Sequence, residues 1–98
     1  MNTEIINLGT KKATGYVIPL GPANLVFAKT NTGMIACGAI DVFALDRFNY
    51  PAARIKPKGD RVKDVNDLLE GVVKDSNETA KQLGVEVGMI GQDALEKM

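Results

Sequence analysis

Histidine and tryptophan are absent from the 98 residues, and cysteine occurs once. Without histidine the chain lacks the commonest general base, the commonest zinc ligand and every Ser-His or Cys-His pair. The lone Cys37 excludes an internal disulfide and a thiolate zinc cage, so nothing in the chain calls for an oxidising compartment. Three Phe and two Tyr supply all the aromatic rings, which implies an aliphatic core with few platforms for stacking bases or sugars. No apolar run approaches the roughly 18 residues that span a bilayer, and no basic, apolar and small-residue leader follows Met1. These absences lead to the expectation of a cytoplasmic protein with no membrane segment, no metal and no cofactor, and with nucleic acid disfavoured as a partner.

What is present is a globular composition. Hydrophobic residues make up 45% and charged residues 24%, enough apolar surface to offset the entropy of ordering a chain of this length. The length predicts one domain over residues 1–98, with one core and room for one site. The formal net charge is zero, yet residues 1–63 carry nine basic and four acidic side chains, and residues 64–98 carry three and eight. The halves therefore differ by sign, +5 against −5, which either steers one surface onto another or is simply solvated.

The first 40 residues read as strands separated by turns. Glu4 to Leu8 ends at Gly9-Thr10, and Thr14 to Leu20 ends at Gly21-Pro22. Asn24 to Lys29 and Met34 to Gly38 flank Asn31-Thr32-Gly33, the pattern of a hairpin. Period-two alternation then puts Ile35 and Cys37 on the core face of the last strand, with Met34, Ala36 and Gly38 opposite.

From Asp41 the pattern becomes helical. Asp41 is placed to cap a helix whose inner face is Val42, Leu45 and Phe48, ending before Pro51. A further strand is expected over Ala52 to Ile55, and an exposed loop over Lys56 to Lys63, where Pro57 and Gly59 break regular pairing. Asp64 or Asn66 caps a helix carrying Val65, Leu68 and Leu69 and closed by Gly71; a second helix starts at Ser76 and runs to Leu83, with Gly84 just past its end. Val85 and Val87 alternate with Glu86 as a short strand facing the core, and Gln92 to Met98 forms a last helix with Ala94, Leu95 and Met98 inward. The predicted class is α+β: an N-terminal antiparallel sheet with short helices in the C-terminal half.

Two tracts are more specific than composition. They are Gly33-Met-Ile-Ala-Cys-Gly-Ala-Ile-Asp-Val42 and Leu83-Gly-Val-Glu-Val-Gly-Met-Ile-Gly-Gln-Asp-Ala-Leu95, with Asp67-Leu68-Leu69 between them. In their order and spacing they resemble the small prokaryotic YunC-like family of domains of unknown function, over roughly residues 14–98. The resemblance implies an α+β fold, assigns no activity and lends no catalytic residue. The chain departs from the family pattern at Ile90, where the family tends to carry Ser or Thr, and over Lys56 to Lys63, a stretch that is shorter and more apolar in the family.

Three constellations are candidates for function. Cys37-Gly38-Ala39-Ile40-Asp41 lies where a strand leads into a helix, a setting that exposes and activates a thiol. With no histidine available, a catalytic Cys37 needs Asp41, Lys29 or Arg54 as partner. The structural alternative has Cys37 packed in the sheet, Gly38 giving room for close chain approach and Asp41 capping the helix. Arg54, Lys56, Lys58, Arg61 and Lys63, opposed only by Asp60, form a basic cluster suited to phosphate or an acidic surface. Gly88 and Gly91 could bare backbone amides to an anion, although Asp93 beside them satisfies the same helix dipole internally.

The sequence as a whole is read as a non-catalytic cytosolic module that binds a small ligand or a protein partner and self-associates as a homo-oligomer. The alternative is an enzyme using Cys37 as nucleophile or redox thiol.

Overall fold

The computed structural model describes residues 2–98. Among these, six strands form one sheet in chain order: β1 (Asn2–Asn7), β2 (Lys12–Pro19), β3 (Asn24–Lys29), β4 (Met34–Ala36), β5 (Ala52–Lys56) and β6 (Val72–Ser76). Every pairing is antiparallel except β4 with β5, which run parallel. A parallel neighbour cannot be reached by a tight turn, so the chain crosses over through α1 (Val42–Leu45) and a 3-10 turn, Asp46–Phe48. The remaining helices are α2 (Val65–Glu70), α3 (Glu78–Gln82) and α4 (Gly91–Glu96). The class is α+β, as the sequence predicts.

The register separates two faces. Ile6, Ala13, Gly15, Val26, Ala28, Ile35, Ala53 and Ile55 point inward, where α2 and α4 cover them. Contact is close: a methyl group on Gly15 would lie 2.6 Å from the Val65 side chain of α2. At Gly91 it would lie 2.0 Å from the Leu68 carbonyl oxygen, so only glycine lets α4 cross α2 at this distance. The outer face is covered over β4 and β5, where Val42 of α1 packs down and Ala36 and Ala52 are fully buried with it. Ala36, expected on a non-core face, is buried because this second, smaller layer exists.

All four α-helices have six residues or fewer, far below the length at which an isolated helix holds, so caps and packing sustain them. Asp41 accepts from the amides of Phe43 and Ala44, Asp64 from Asp67, and Asn77 from Ala80. The first two caps are as expected. The third sits one residue beyond the expected helix start, because Ser76 is the last residue of β6.

Four expectations are corrected. β6 was not anticipated; the extra residue Lys74, where Arg54 opposes Asp75 but Ile55 opposes Val73, interrupts its alternation with a bulge. Val85 is buried but Val87 is 66% exposed, and neither lies in a strand: Gly88, at φ +92°, turns the chain before any partner is met. Val42 is buried whereas Phe48 is 76% exposed, since the change to 3-10 winding rotates Phe48 off the α1 face. β4 ends at Ala36, so Cys37 and Gly38 belong to the connection that follows.

Candidate functional site

The parallel pair determines where a site can form. Beyond Ala36 the chain passes through Cys37, Gly38 and Ala39 to α1 on the outer face; beyond Lys56 it passes through residues 57–64 to α2 on the inner face. Two adjacent parallel strands whose continuations leave to opposite faces open a crevice at their carboxyl ends, the place where open sheets bind ligands. A groove of about 540 Å³ lies there. Its buried floor includes Cys37, Ile55 and Val62; its exposed rim carries Lys56, Arg61 and Lys74, with Asp60 as the acidic member.

The loop over 57–64 contains neither helix nor strand, and Lys58, Asp60, Arg61 and Lys63 are exposed, in agreement with the sequence reading; Lys56, expected as its first residue, is instead the exposed last residue of β5. Val62 alone turns fully inward. The loop is fastened to the rest of the fold by three hydrogen bonds: Asn24 Nδ2 donates to the Lys63 carbonyl at 2.9 Å, the Lys63 amide to Asp67 Oδ2 at 2.9 Å, and Arg61 Nη1 to the Pro22 carbonyl at 3.4 Å. One wall of the groove is therefore tied to both the β2–β3 turn and α2.

Cys37 is 6% exposed. Its amide donates to the Val26 carbonyl at 2.9 Å, and its Sγ accepts from the Val26 amide at 3.5 Å, so the residue prolongs the β3–β4 pairing. The other candidates are not gathered around it. Asp41 Oδ1 is occupied by the amides of Phe43 and Ala44, at 3.0 and 3.1 Å. Arg54 lies on the outer face, 5.7 Å above the Phe43 ring, with Nε donating to Asp75 Oδ1 at 2.7 Å and Nη2 paired with Asp75 Oδ2. That hydrogen-bonded pair holds the Asp75 carboxyl below its ordinary value and raises the Arg54 guanidinium further. Lys29 faces outward between Thr14 and Met34.

Gly38 differs from its expected role. A methyl group there would meet nothing within 4 Å, so no chain approaches it closely; its bareness leaves the groove open. Gly88 and Gly91 stand elsewhere, and their amides donate to the carbonyls of Val73 and Gly71 at 2.9 and 2.8 Å. Among the described residues no three His, Cys, Asp or Glu side chains come together as a metal site. Other depressions are one of about 160 Å³ between the β2–β3 turn and Arg61–Lys63, one of about 560 Å³ beside the polar turn Thr30–Thr32, and one of about 470 Å³ where Lys81 and Glu86 carry opposite charges.

Sequence reasoning singled out Cys37, Gly38, Lys56 and Arg61 but did not bring them together, and it missed Ile55, Val62 and Lys74 as groove residues. Lys74 was hidden with β6. Val62, an isolated apolar residue within a basic loop, carried a signal that could have been read as an anchor.

These features define a small α+β domain with a mixed sheet and a groove at the carboxyl ends of its parallel strands. The model of the family described as Domain of unknown function (DUF1805) matches residues 36–98, and the chain belongs to that family. It is 29% identical over 98 residues to the uncharacterized protein YunC of Bacillus subtilis strain 168, spanning 100% of this chain and 97% of that protein. It is also similar to the crystal structure of TA1206, a protein of unknown function from Thermoplasma acidophilum, with a TM-score of 0.86 and 25% identity. That match covers 98% of this chain and 90% of the other. No helix among the described residues is long and apolar enough to cross a membrane.

Proposed function

We propose that this domain is a non-catalytic module that binds a small organic molecule in the groove over Cys37 and Gly38. The observation that carries this reading is the groove itself: about 540 Å³, within the usual range for small-molecule sites, with an apolar floor and polar groups converging from three segments. Catalysis through Cys37 is less well supported, because neither Asp41 nor Arg54 is free to activate the thiol. The free, buried thiol also supports a cytosolic setting.

Self-association is the second part of the reading. The outer face of β1 to β3 carries an apolar patch: Tyr16 and Phe27 stack at 4.8 Å, near Ile18 and the 69%-exposed Ile5, with Thr14 and Lys29 at its edge. A second copy stacked on this face would bury it.

A melting-temperature screen of small organic compounds followed by amide chemical-shift mapping tests the binding site. A ligand of the groove raises the melting point by mass action and shifts the amides of Gly38, Ala39 and Val62. Ligands whose shifts cluster elsewhere, with those three amides unmoved, would refute the assignment.

A further inference from the structure

We infer that the groove is selective for an amphipathic organic anion, a carboxylate or phosphate monoester on an aliphatic body. The inference rests on the groove being the binding site and adds the chemical class of what it takes.

Three cations line the rim against one carboxylate, Asp60. Among the described residues, the ion pairs are Arg54 with Asp75 and Lys63 with Asp67, so Lys56, Arg61 and Lys74 have no anionic partner. They come from three different segments: the end of β5, the loop after it, and the bulge of β6. The bulge matters because Lys74 is the extra residue there, unpaired with any residue of β5, and it is among the residues that line the groove. Arg61 commits one Nη1 bond to the Pro22 carbonyl and keeps its other guanidinium donors for an incoming oxygen. Like charges held around one concavity repel each other, and the repulsion is relieved when an anion enters.

The floor sets the rest of the molecule. Cys37, Ile55 and Val62 offer sulfur and branched aliphatic surface, and none of the residues lining the groove is aromatic. A bare inorganic anion would leave that surface wet, whereas a neutral amphiphile would leave the cations unpaired. A molecule with an anionic head and an aliphatic tail satisfies both.

The test uses octyl phosphate, octanoate, 1-octanol and inorganic phosphate, titrated into the whole chain at low and moderate ionic strength. Octyl phosphate or octanoate should bind about tenfold or more tightly than both 1-octanol and inorganic phosphate, less tightly as salt rises, with shifts at Gly38, Ala39 and Val62. Which of the two binds better identifies the head group. Lys74→Met, at an exposed position, should weaken the anion by several-fold with an unchanged melting point; Arg61→Met should weaken it likewise with a small loss of melting point from its bond to Pro22, whereas Lys81→Met on α3 should not weaken it. If 1-octanol binds at the groove as tightly as the anions, anion selectivity is wrong while the groove remains a site. If the anions bind and shift other amides, or if none of the probes binds, the inference is overturned; in the first case the groove assignment falls with it.

Discussion

Asn77 is the most heavily engaged side chain in the molecule. It is fully buried and makes four hydrogen bonds: Nδ2 donates to the carbonyls of Val42 and Tyr50 at 2.9 and 2.8 Å, and Oδ1 accepts from the amides of Ala52 and Ala80 at 3.2 and 2.9 Å. One amide group thereby joins α1, the end of the crossover, β5 and α3, and saturates its own capacity. Asn77→Ala would strand these backbone groups away from water and should cost about 3 kcal/mol or more in denaturant unfolding. A loss below about 1 kcal/mol would mean that the network is dispensable. Sequence reasoning passed over Asn77 because the helix was expected to start at Ser76, which placed Asn77 inside its first turn, and nothing in the local pattern announces three partners 25 or more residues away. Cys37 was more legible, because apolar neighbours and strand spacing already placed it inward. Its thiol, on the groove floor and accepting from the Val26 amide, should react with an alkylating reagent far more slowly in the folded protein than after unfolding, and Cys37→Ser should cost about 1–2 kcal/mol. Rapid alkylation of the folded protein, or a Cys37→Ser variant that is fully stable, would count against the packed thiol.

At the level of elements, β5 and β6 are joined by a cross-strand ion pair, and the crossover is joined to α3 through Asp46. Asp46 Oδ1 accepts from Thr79 Oγ1 at 2.6 Å and from the Thr79 amide at 3.0 Å. The Thr79 hydroxyl bond is the main cause that holds the Asp46 carboxyl below the ordinary carboxylate range; the Arg54 hydrogen bond does the same for Asp75. A carboxylate with a depressed folded-state pKa contributes stability that is present above its unfolded value and is lost as pH falls through the folded value. Stability should therefore be level down to about pH 4 and decline below it, and Asp75→Asn should flatten the decline while costing about 1 kcal/mol at neutral pH, the pair being partly exposed. An acid transition of the same steepness in Asp75→Asn would remove this pair from the account. The element boundaries show what a sequence can carry. Caps at Asp41 and Asp64 and the hairpin at Asn31-Thr32-Gly33 are local chemistry and were readable. The bulge in β6 and the non-strand at Val87 depend on which partner lies alongside, so the alternation of Val85 and Val87 misled while the broken alternation of Val72 to Ser76 concealed a real strand.

For the whole molecule, one crossover organises everything else. Five antiparallel steps would give a plain meander, but the parallel step from β4 to β5 places α1 on one face and sends the chain after β5 to the other. The groove follows from that divergence, and so does the uncovered outer face of β1 to β3, since α1 is too short to reach it. Sedimentation equilibrium should find a mass above that of one chain. Placing charges on the outer face with Ile5→Lys and Ile18→Lys should return it to a single chain, because a stable interface needs roughly 800 Å² from each partner and these residues lie within the available surface. A monomer at all concentrations in the unmodified protein would refute self-association. Self-association was an expectation of the sequence, but neither the face nor the groove was visible there: the basic residues of the 56–63 stretch and the Cys37 tract stood apart, and Lys74 had no assigned place.

The groove itself is tested most directly by filling it without touching the core. Gly38 has an ordinary backbone conformation and open space where its Cβ would be, so Gly38→Leu should leave the melting temperature unchanged while its side chain occupies the cavity. Measured by calorimetric titration with octyl phosphate, Gly38→Leu should bind about tenfold or more weakly than the unmodified chain. Equal binding by a Gly38→Leu protein of unchanged stability would contradict the placement of the site.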